Sequence, residues 1–185
     1  SVIRINSQSG KGGVAYILEN EFGITLPRWG QIELSQAVQR FSEENKQEVS
    51  AQDILSIFEG HFIHQKQPHT LASYQLTANN ESEEHIGIKL NGDNHELDIH
   101  GQGEGTITAF CDALSREFSV TLDIIQYDQI TQGRHTSAQA MSFVHMKINN
   151  EKYLAAASHQ DSVSANLQAI LSGLNQYLLK QVNVS

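Results

Sequence analysis

The chain of 185 residues has one cysteine, two prolines and few basic residues. The single Cys111 excludes an internal disulfide and is typical of a reducing, cytoplasmic environment. No stretch approaches the roughly 18 apolar residues of a membrane span, and no basic segment leading into an apolar one indicates a signal peptide. Lysine and arginine number 12 against 21 aspartate and glutamate residues. The net charge of −9 argues against a surface that binds nucleic acid or an anionic membrane.

The composition predicts an ordered protein, because 39% hydrophobic residues can fill the core of one domain or of two small ones. The chain begins with Ser1 rather than methionine, and residues 2–6 already have the pattern of ordered structure. We therefore expect a piece of a longer protein.

Before residue 65 the apolar residues recur at helical spacing, which predicts three short helices. The recurring positions are Val14, Leu18 and Phe22, then Leu34, Val38 and Phe41, then Ile54, Leu55 and Phe58. Ser50 and Asp53 predict a capping box at the start of the third helix. Residues 60–70, with Pro68 and three histidines, show no clean period and are the predicted linker.

After residue 70 the apolar residues alternate, then recur at helical spacing, and this cycle occurs twice. The two cycles align when Ile107 is placed on Val163, an alignment called the repeat register below. Asn91-Gly92 predicts the first hairpin turn, with residues 149–150 as its counterpart. The predicted fold class is α+β: a small three-helix subdomain (residues 1–66), then a tandem βββα domain with pseudo-two-fold symmetry (residues 67–185). The seam between the units could bind a small ligand and favours a symmetric dimer; a duplicated scaffold without a ligand is the alternative.

Two glycine-rich loops precede predicted helices. The loop at residues 6–13 carries Lys11 and suits either an anion or a plain helix entry, but it lacks the spacing of a P-loop. The run of residues 101–105 lets the backbone approach a ligand, and the helix start beyond it favours a carboxylate. The histidines, including His61 and His64, lack ligand partners at a metal-binding spacing and are expected to be structural or exposed. Cys111 is expected to be a packed thiol. These residues favour a ligand-binding or assembly module over a complete enzyme.

The sequence also resembles a known family. Residues 3–16 (IRINSQSGKGGVAY), 26–29 (LPRW) and 31–35 (QIELS) are similar to the helical subdomain that follows the catalytic barrel in 2-isopropylmalate synthases. Residues 101–105 (GQGEG) and the segments around Ala109, Tyr127 and Ala165 resemble that family's C-terminal regulatory domain. In that domain a βββα unit occurs twice, and leucine binds between the units near the dimer seam.

The resemblance implies a function for the longer protein. Members of the family condense acetyl-CoA with 2-oxoisovalerate in leucine biosynthesis, use a divalent metal in the barrel and are inhibited by leucine. This piece is therefore expected to be non-catalytic, without a cofactor of its own, cytoplasmic and homodimeric, and to regulate its own N-terminal barrel. Carried over by position, the leucine pocket comprises Gly103, Glu104, Gly105, Ile107, Thr108, Leu122, Tyr127, Ile130, Ala138, Asp161 and Val163. Glu104 or Asp161 would bind the ammonium group.

Several positions depart from the family pattern. Glu104 stands where a small polar residue such as asparagine is usual, and Thr106 where proline is usual. Residues 127–130 (YDQI) replace a Tyr-x-Glu-His-Ala pattern, and residues 133–137 are also atypical. The alternatives are an isoleucine-binding domain of a citramalate synthase and a purely structural dimerisation module. An α/β domain that binds nucleic acid is disfavoured by the acidic second half.

Overall fold

Two successive βββα units follow a layer of three helices, and the predicted α+β class is confirmed. The computed structural model describes residues 11–79, 83–133 and 139–184. The elements are α1 (Lys11–Phe22), α2 (Arg28–Asn45), α3 (Ala51–His61), β1 (Thr70–Asn79), β2 (Glu83–Gly92), β3 (His95–Gly103), α4 (Thr106–Phe118), β4 (Leu122–Gln132), β5 (Gln139–Ile148), β6 (Glu151–His159) and α5 (Ser162–Val184). None of the helices in these described ranges is long and apolar enough to cross a membrane.

The helical layer, α1 to α3, forms as its apolar spacing predicts. The buried positions include Val14, Leu18, Leu34, Val38, Ile54 and Phe58. The capping box at α3 is confirmed: the Asp53 backbone N–H donates to the Ser50 hydroxyl at 3.0 Å, and the Ser50 N–H donates to the Asp53 carboxylate at 2.9 Å. Two backbone groups at the helix start are thus satisfied locally.

Each unit forms its own antiparallel three-stranded sheet, ordered β1-β2-β3 in the first and β4-β5-β6 in the second. In the repeat register the bounds of β2 coincide with those of β5, and the bounds of β3 with those of β6. The prediction of a turn at Asn91-Gly92 is wrong, because these residues pair with Glu96 and His95 as the last rungs of the ladder. The turn is Asp93-Asn94, which falls on Asn149-Asn150 in the same register. Pairing Ile88 with Ile99 and Leu90 with Leu97 on the core side sets the pairing of β2 with β3.

The first strands of the two units share a β-bulge. In β1 it lies between Leu71 and Ser73, and in β4 between Ile124 and Gln126. The bulge of β4 comes earlier in the chain than the repeat register would place it, although the other strands and the helix starts follow that register. The connection from β4 to β5 (residues 133–138) is longer than that from β1 to β2 (residues 80–82), and this extra length compensates for the earlier position of the β4 bulge.

The helices α4 and α5 pack on one face of each sheet and form the main core. Its fully or nearly buried members include Ile86, Ile88, Leu90, Ile99, Phe110 and Leu114 from the first unit and Val144, Met146, Ile148, Leu167, Ile170 and Leu174 from the second. The other face of the second sheet is covered by the helical layer, through Phe143, Leu154 and Ala156 against Phe58 and Phe62. Both faces of β6 are consequently buried, which explains the apolar run at residues 153–157.

The segment between α3 and β1 is fixed to α5 by two buried polar side chains. The Ser172 hydroxyl accepts from the Gln65 N–H at 2.7 Å and donates to the Ile63 carbonyl at 2.6 Å. The Asn175 amide donates to the carbonyls of Gln65 and His69, at 2.9 and 2.7 Å. These bonds satisfy the backbone of a connection that has no regular secondary structure of its own.

Candidate functional site

The first turns of α4 and α5 occupy equivalent places in the two units. In the repeat register Gly105 corresponds to Asp161, and Thr108 to Ser164. When the two β-bulges are aligned, Tyr74 of β1 corresponds to Tyr127 of β4. A helix start carries free N–H groups and a partial positive charge, so each of the two places could bind an anion.

The start of α5 is satisfied by the chain's own side chains. The Asp161 carboxylate accepts from the Ser164 hydroxyl at 2.6 Å, from the Tyr74 hydroxyl at 2.6 Å and from the Ser164 N–H at 3.1 Å. The hydrogen bonds from Ser164 and Tyr74 lower the pKa of Asp161 to about 2. The same contact with Asp161 raises the pKa of Tyr74. This carboxylate is therefore committed to capping its own helix.

The start of α4 is open. Its N-cap is Gly105, at φ +106°, which provides no side chain to cap the helix. The backbone N–H groups of Thr106, Ile107 and Thr108 have no acceptor among the described residues. A Cβ placed on Gly105 would meet nothing within 4 Å, so there is open space beside the N-cap residue. An external carboxylate can approach here as the Asp161 carboxylate does at α5.

Glu84 lies beside this open helix start, and sequence reasoning missed it. The Thr106 hydroxyl donates to the Glu84 carboxylate at 2.6 Å, and Glu84 lies directly opposite Gly103 in the β2–β3 ladder. Thr106, which stands where the family usually has proline, thus supplies a hydroxyl that orients the Glu84 carboxylate. The sequence could have indicated Glu84 only through its position, because it stands at the start of the strand that pairs with the glycine-rich segment.

The glycines that lead into α4 have a packing role that the sequence did not indicate. A Cβ on Gly103 would lie 2.7 Å from the Thr108 methyl carbon and 3.1 Å from the Ala109 nitrogen. A Cβ on Gly101 would lie 2.1 Å from the Ala109 carbonyl oxygen. Gly101 and Gly103 therefore allow the backbone of β3 to approach α4 closely.

The predicted pocket residues of the second unit lie on different surfaces. Tyr127 is half-buried and donates to the Asn166 side-chain oxygen at 2.7 Å, in a polar network with Gln129 and Ser142 under the first turn of α5. Burial raises the pKa of Tyr127. Ile130 packs against the core of the helical layer, on the opposite face of the sheet.

The remaining predicted residues are divided between the core and the surface. Leu122, Ile107 and Val163 are half-buried against the main core, whereas Glu104 and Thr108 are exposed. Ala138 lies outside the described residues. The structure thus places Gly103, Gly105, Ile107 and Thr108 around the open start of α4 and adds Glu84, while Asp161 lies at the other helix start.

The Cys111 thiol is not reactive. Burial raises the pKa of the Cys111 thiol to about 12, so it stays protonated and is a poor nucleophile.

A cavity of about 230 Å³ lies between residues 64–71 and α5, and another of about 620 Å³ lies beside the end of α1 and β4. Neither is lined by the predicted pocket residues. Lys11 begins α1, and the rest of its glycine-rich loop at residues 6–10 lies outside the described residues.

Comparison with known proteins identifies the double βββα arrangement. Residues 48–178 match the family model of the LeuA allosteric (dimerisation) domain. The chain belongs to this family. Residues 1–19 match a second family model, the alpha-isopropylmalate synthase post-catalytic domain-like family. The LeuA family match thus begins before α3 and covers both βββα units up to the last turns of α5.

Curated relatives extend the similarity over nearly the whole chain. It is 36% identical to a 2-isopropylmalate synthase of Alcanivorax borkumensis over 176 residues, which cover 95% of this chain and 31% of that protein. It is 34% identical to one of Pseudomonas fluorescens (98% and 32% covered) and 35% identical to one of Kocuria rhizophila (95% and 31% covered). The LeuA-family chain therefore spans about a third of the length of the curated relatives that it matches.

Proposed function

We propose that this chain is the regulatory domain of a 2-isopropylmalate synthase, and that leucine binds at the open start of α4. The observation that carries the proposal is the difference between two equivalent helix starts. The start of α5 holds the carboxylate of Asp161 on its backbone N–H groups, whereas at α4 Gly105 provides no side chain and the Glu84 carboxylate accepts from the Thr106 hydroxyl instead. The N–H groups of Thr106, Ile107 and Thr108 would bind the leucine carboxylate.

The leucine ammonium group would be bound by Glu84. Thr106 holds the Glu84 carboxylate next to the helix start with a 2.6 Å hydrogen bond, so an amino acid there meets donors and an acceptor of the required charge. The half-buried Ile107 offers apolar surface to the isobutyl group. Gly103, Glu104, Leu122, Tyr127, Ile130, Ala138, Asp161 and Val163 stay predictions as pocket residues.

Regulation requires that the effector site be coupled to the rest of the protein, and β4 provides one part of such a connection because it joins α5 to the helical layer. Tyr127 and Gln129 contact α5 from one face of the strand. From the other face Asp128 accepts from the Trp29 indole N–H at 2.6 Å, and the Gln132 side chain makes two hydrogen bonds to the Thr25 backbone. A shift of β4 would therefore move the helical layer.

The activity of the longer protein forms part of the same proposal. The condensation of acetyl-CoA with 2-oxoisovalerate, and the divalent metal that it uses, would belong to a catalytic barrel outside this chain. The chain would contribute leucine inhibition and homodimerisation in the cytoplasm. Allosteric coupling of this kind is typically about 1–3 kcal/mol.

Calorimetric titration of the chain with leucine tests the site. We expect one leucine per chain, with binding weakened at least about tenfold in Glu84→Gln, because a hydrogen bond to a charged group contributes roughly 1.5–3 kcal/mol. Glu83→Gln, at the neighbouring exposed position, is the matched control and should bind as the unsubstituted chain does.

A second pair of variants tests the helix start itself. Gly105→Asp introduces the carboxylate that α5 already has and should abolish leucine binding. Gly105→Ala carries the same backbone strain at positive φ without the charge and should retain measurable binding. Equal loss in both variants would contradict the electrostatic explanation, and no heat from the unsubstituted chain at millimolar leucine would refute effector binding.

The alternatives are separated by the same titration. A parallel titration with isoleucine that gives the tighter binding would favour a citramalate synthase domain. Absence of binding for both amino acids, with a dimer in solution, would favour a structural dimerisation module.

A further inference from the structure

The outer face of the first sheet differs from the equivalent face of the second. The helical layer covers the second sheet, whereas the first presents exposed polar side chains such as Gln75, Lys89 and Gln102. His85 of β2 and His100 of β3 lie on this outer face as diagonal neighbours, because His85 pairs with Gln102 and His100 with Gly87. Two imidazoles thus stand together on a rigid ladder.

The spacing of these imidazoles suits a metal ion. His85 Nε2 and His100 Nδ1 are 3.4 Å apart, a distance at which a single proton links them. Zinc binds histidine nitrogens at about 2.0–2.1 Å in tetrahedral geometry, which separates two ligand nitrogens by about 3.3–3.4 Å. An ion that replaces the linking proton therefore requires little movement of either ring.

Two neighbouring residues make His100 Nδ1 available as a metal ligand. The Asp98 carboxylate lies 3.5 Å from His100 Nε2, where it favours a proton on that nitrogen and leaves Nδ1 available as a ligand. Gly87 lies opposite, and a Cβ there would be 3.4 Å from Nδ1. The glycine therefore keeps the ligand atom uncovered.

We propose that His85 and His100 bind one divalent transition-metal ion of the zinc class on the outer face of the first sheet. Asp98 is the positioning residue, and water completes the coordination. No group of three or more His, Cys, Asp or Glu side chains within the described ranges is arranged to hold a metal, so this is a site with two protein ligands. The site is independent of leucine binding at α4.

Titration of the intact chain with zinc chloride, followed by calorimetry and by NMR of the histidine rings, tests the proposal. We expect one site whose binding shifts the ring signals of His85 and His100. Either His85→Asn or His100→Asn should weaken zinc binding at least tenfold, and Asp98→Asn should weaken it by roughly tenfold or more. His95→Asn is the control, because His95 is exposed on the same strand but points to the other face.

His95, Asp98 and His100 are exposed and His85 is half-buried on the outer face, so the variants should unfold at nearly the same temperature as the unsubstituted chain without zinc. Zinc binding that survives loss of both histidines would overturn the proposal, as would the absence of ring shifts at millimolar zinc. Unchanged affinity in Asp98→Asn would overturn the positioning role.

Discussion

Replacing Gly101 with alanine tests how closely α4 packs on β3. The added Cβ would lie 2.1 Å from the Ala109 carbonyl oxygen, 2.6 Å from the Ala113 nitrogen and 2.8 Å from the Ala113 Cβ. Ordinary van der Waals contact begins at 3.4 Å, so the helix must move away from the strand to admit the methyl group. The equivalent residue of the second unit is Ala157, which is buried, so α5 accommodates the methyl group that α4 excludes.

The cost follows from the kind of atoms that collide. Overpacking in a core typically costs about 1–3 kcal/mol, and because two of these atoms belong to the helix backbone we expect about 2–3 kcal/mol for Gly101→Ala. For a chain of this size each kcal/mol lowers the melting temperature by roughly 2–4 °C, which gives a decrease of about 4–12 °C.

Urea and thermal unfolding of three glycine variants provides the measurement. Gly60→Ala lies within α3, where a Cβ meets nothing within 4 Å, and should be neutral or stabilising by up to about 1 kcal/mol. Gly87→Ala meets only the exposed His100 ring, at 3.3 Å, and should cost less than Gly101→Ala. Substitutions at open surface positions usually change the free energy of unfolding by less than about 0.5 kcal/mol. If Gly101→Ala falls within that range, the described packing of α4 on β3 is wrong.

Three further predictions concern polar contacts. Asn175→Ala removes a buried side chain that donates to two partly buried carbonyls, and it should cost about 2–4 kcal/mol in urea unfolding. Asn183→Ala at an exposed position of the same helix should be nearly neutral. Trp29→Phe removes the hydrogen bond to Asp128 and should cost about 0.5–1.5 kcal/mol while preserving leucine binding. In hydrogen exchange, leucine should then change the protection of α2 less than it does in the unsubstituted chain, because the Gln132 bonds to Thr25 remain. The pKa of Asp161 is depressed in the folded chain, so its capping bonds stabilise the fold above about pH 4. The difference in free energy of unfolding between the unsubstituted chain and Asp161→Asn should therefore shrink between pH 4 and pH 2. A difference that is constant across this range would contradict the assignment.

The sequence predicted the features that depend on local chemistry. Apolar spacing located the helices, and the Ser50 and Asp53 pair indicated a capping box because its two partners are only three residues apart. The repeat register identified the duplication. It would also have located the first hairpin turn, since Asp93-Asn94 corresponds to Asn149-Asn150, but the strong turn preference of Asn91-Gly92 pointed two residues too early.

What the sequence left open depends on tertiary contacts. Glu84 reaches Thr106 only because β2 pairs with β3 and brings the start of one strand next to the glycine-rich segment at the end of the other. Asp161 was an equally good candidate for the ammonium until its bonds to Tyr74 and Ser164 were known. Alternation along β4 separates Tyr127 from Ile130, but the sequence does not say which face the helical layer covers.

The two units share one fold but differ at the helix start and at the outer face of the sheet. The second unit packs against α5 on one face of its sheet and against the helical layer on the other, and it holds its own carboxylate at its helix start. The first unit has one exposed sheet face and an uncapped helix start, where a satisfied start would add stability. An uncapped helix start lacks this stabilisation, and an external carboxylate can restore it. Binding of such a ligand would therefore stabilise the arrangement of the domain in which the helix start is open to it. Leucine should therefore raise the melting temperature of the chain by an amount that grows with the logarithm of the ratio of leucine concentration to Kd. Gly105→Asp should raise it without leucine if the added carboxylate caps α4 more strongly than the positive φ strains it.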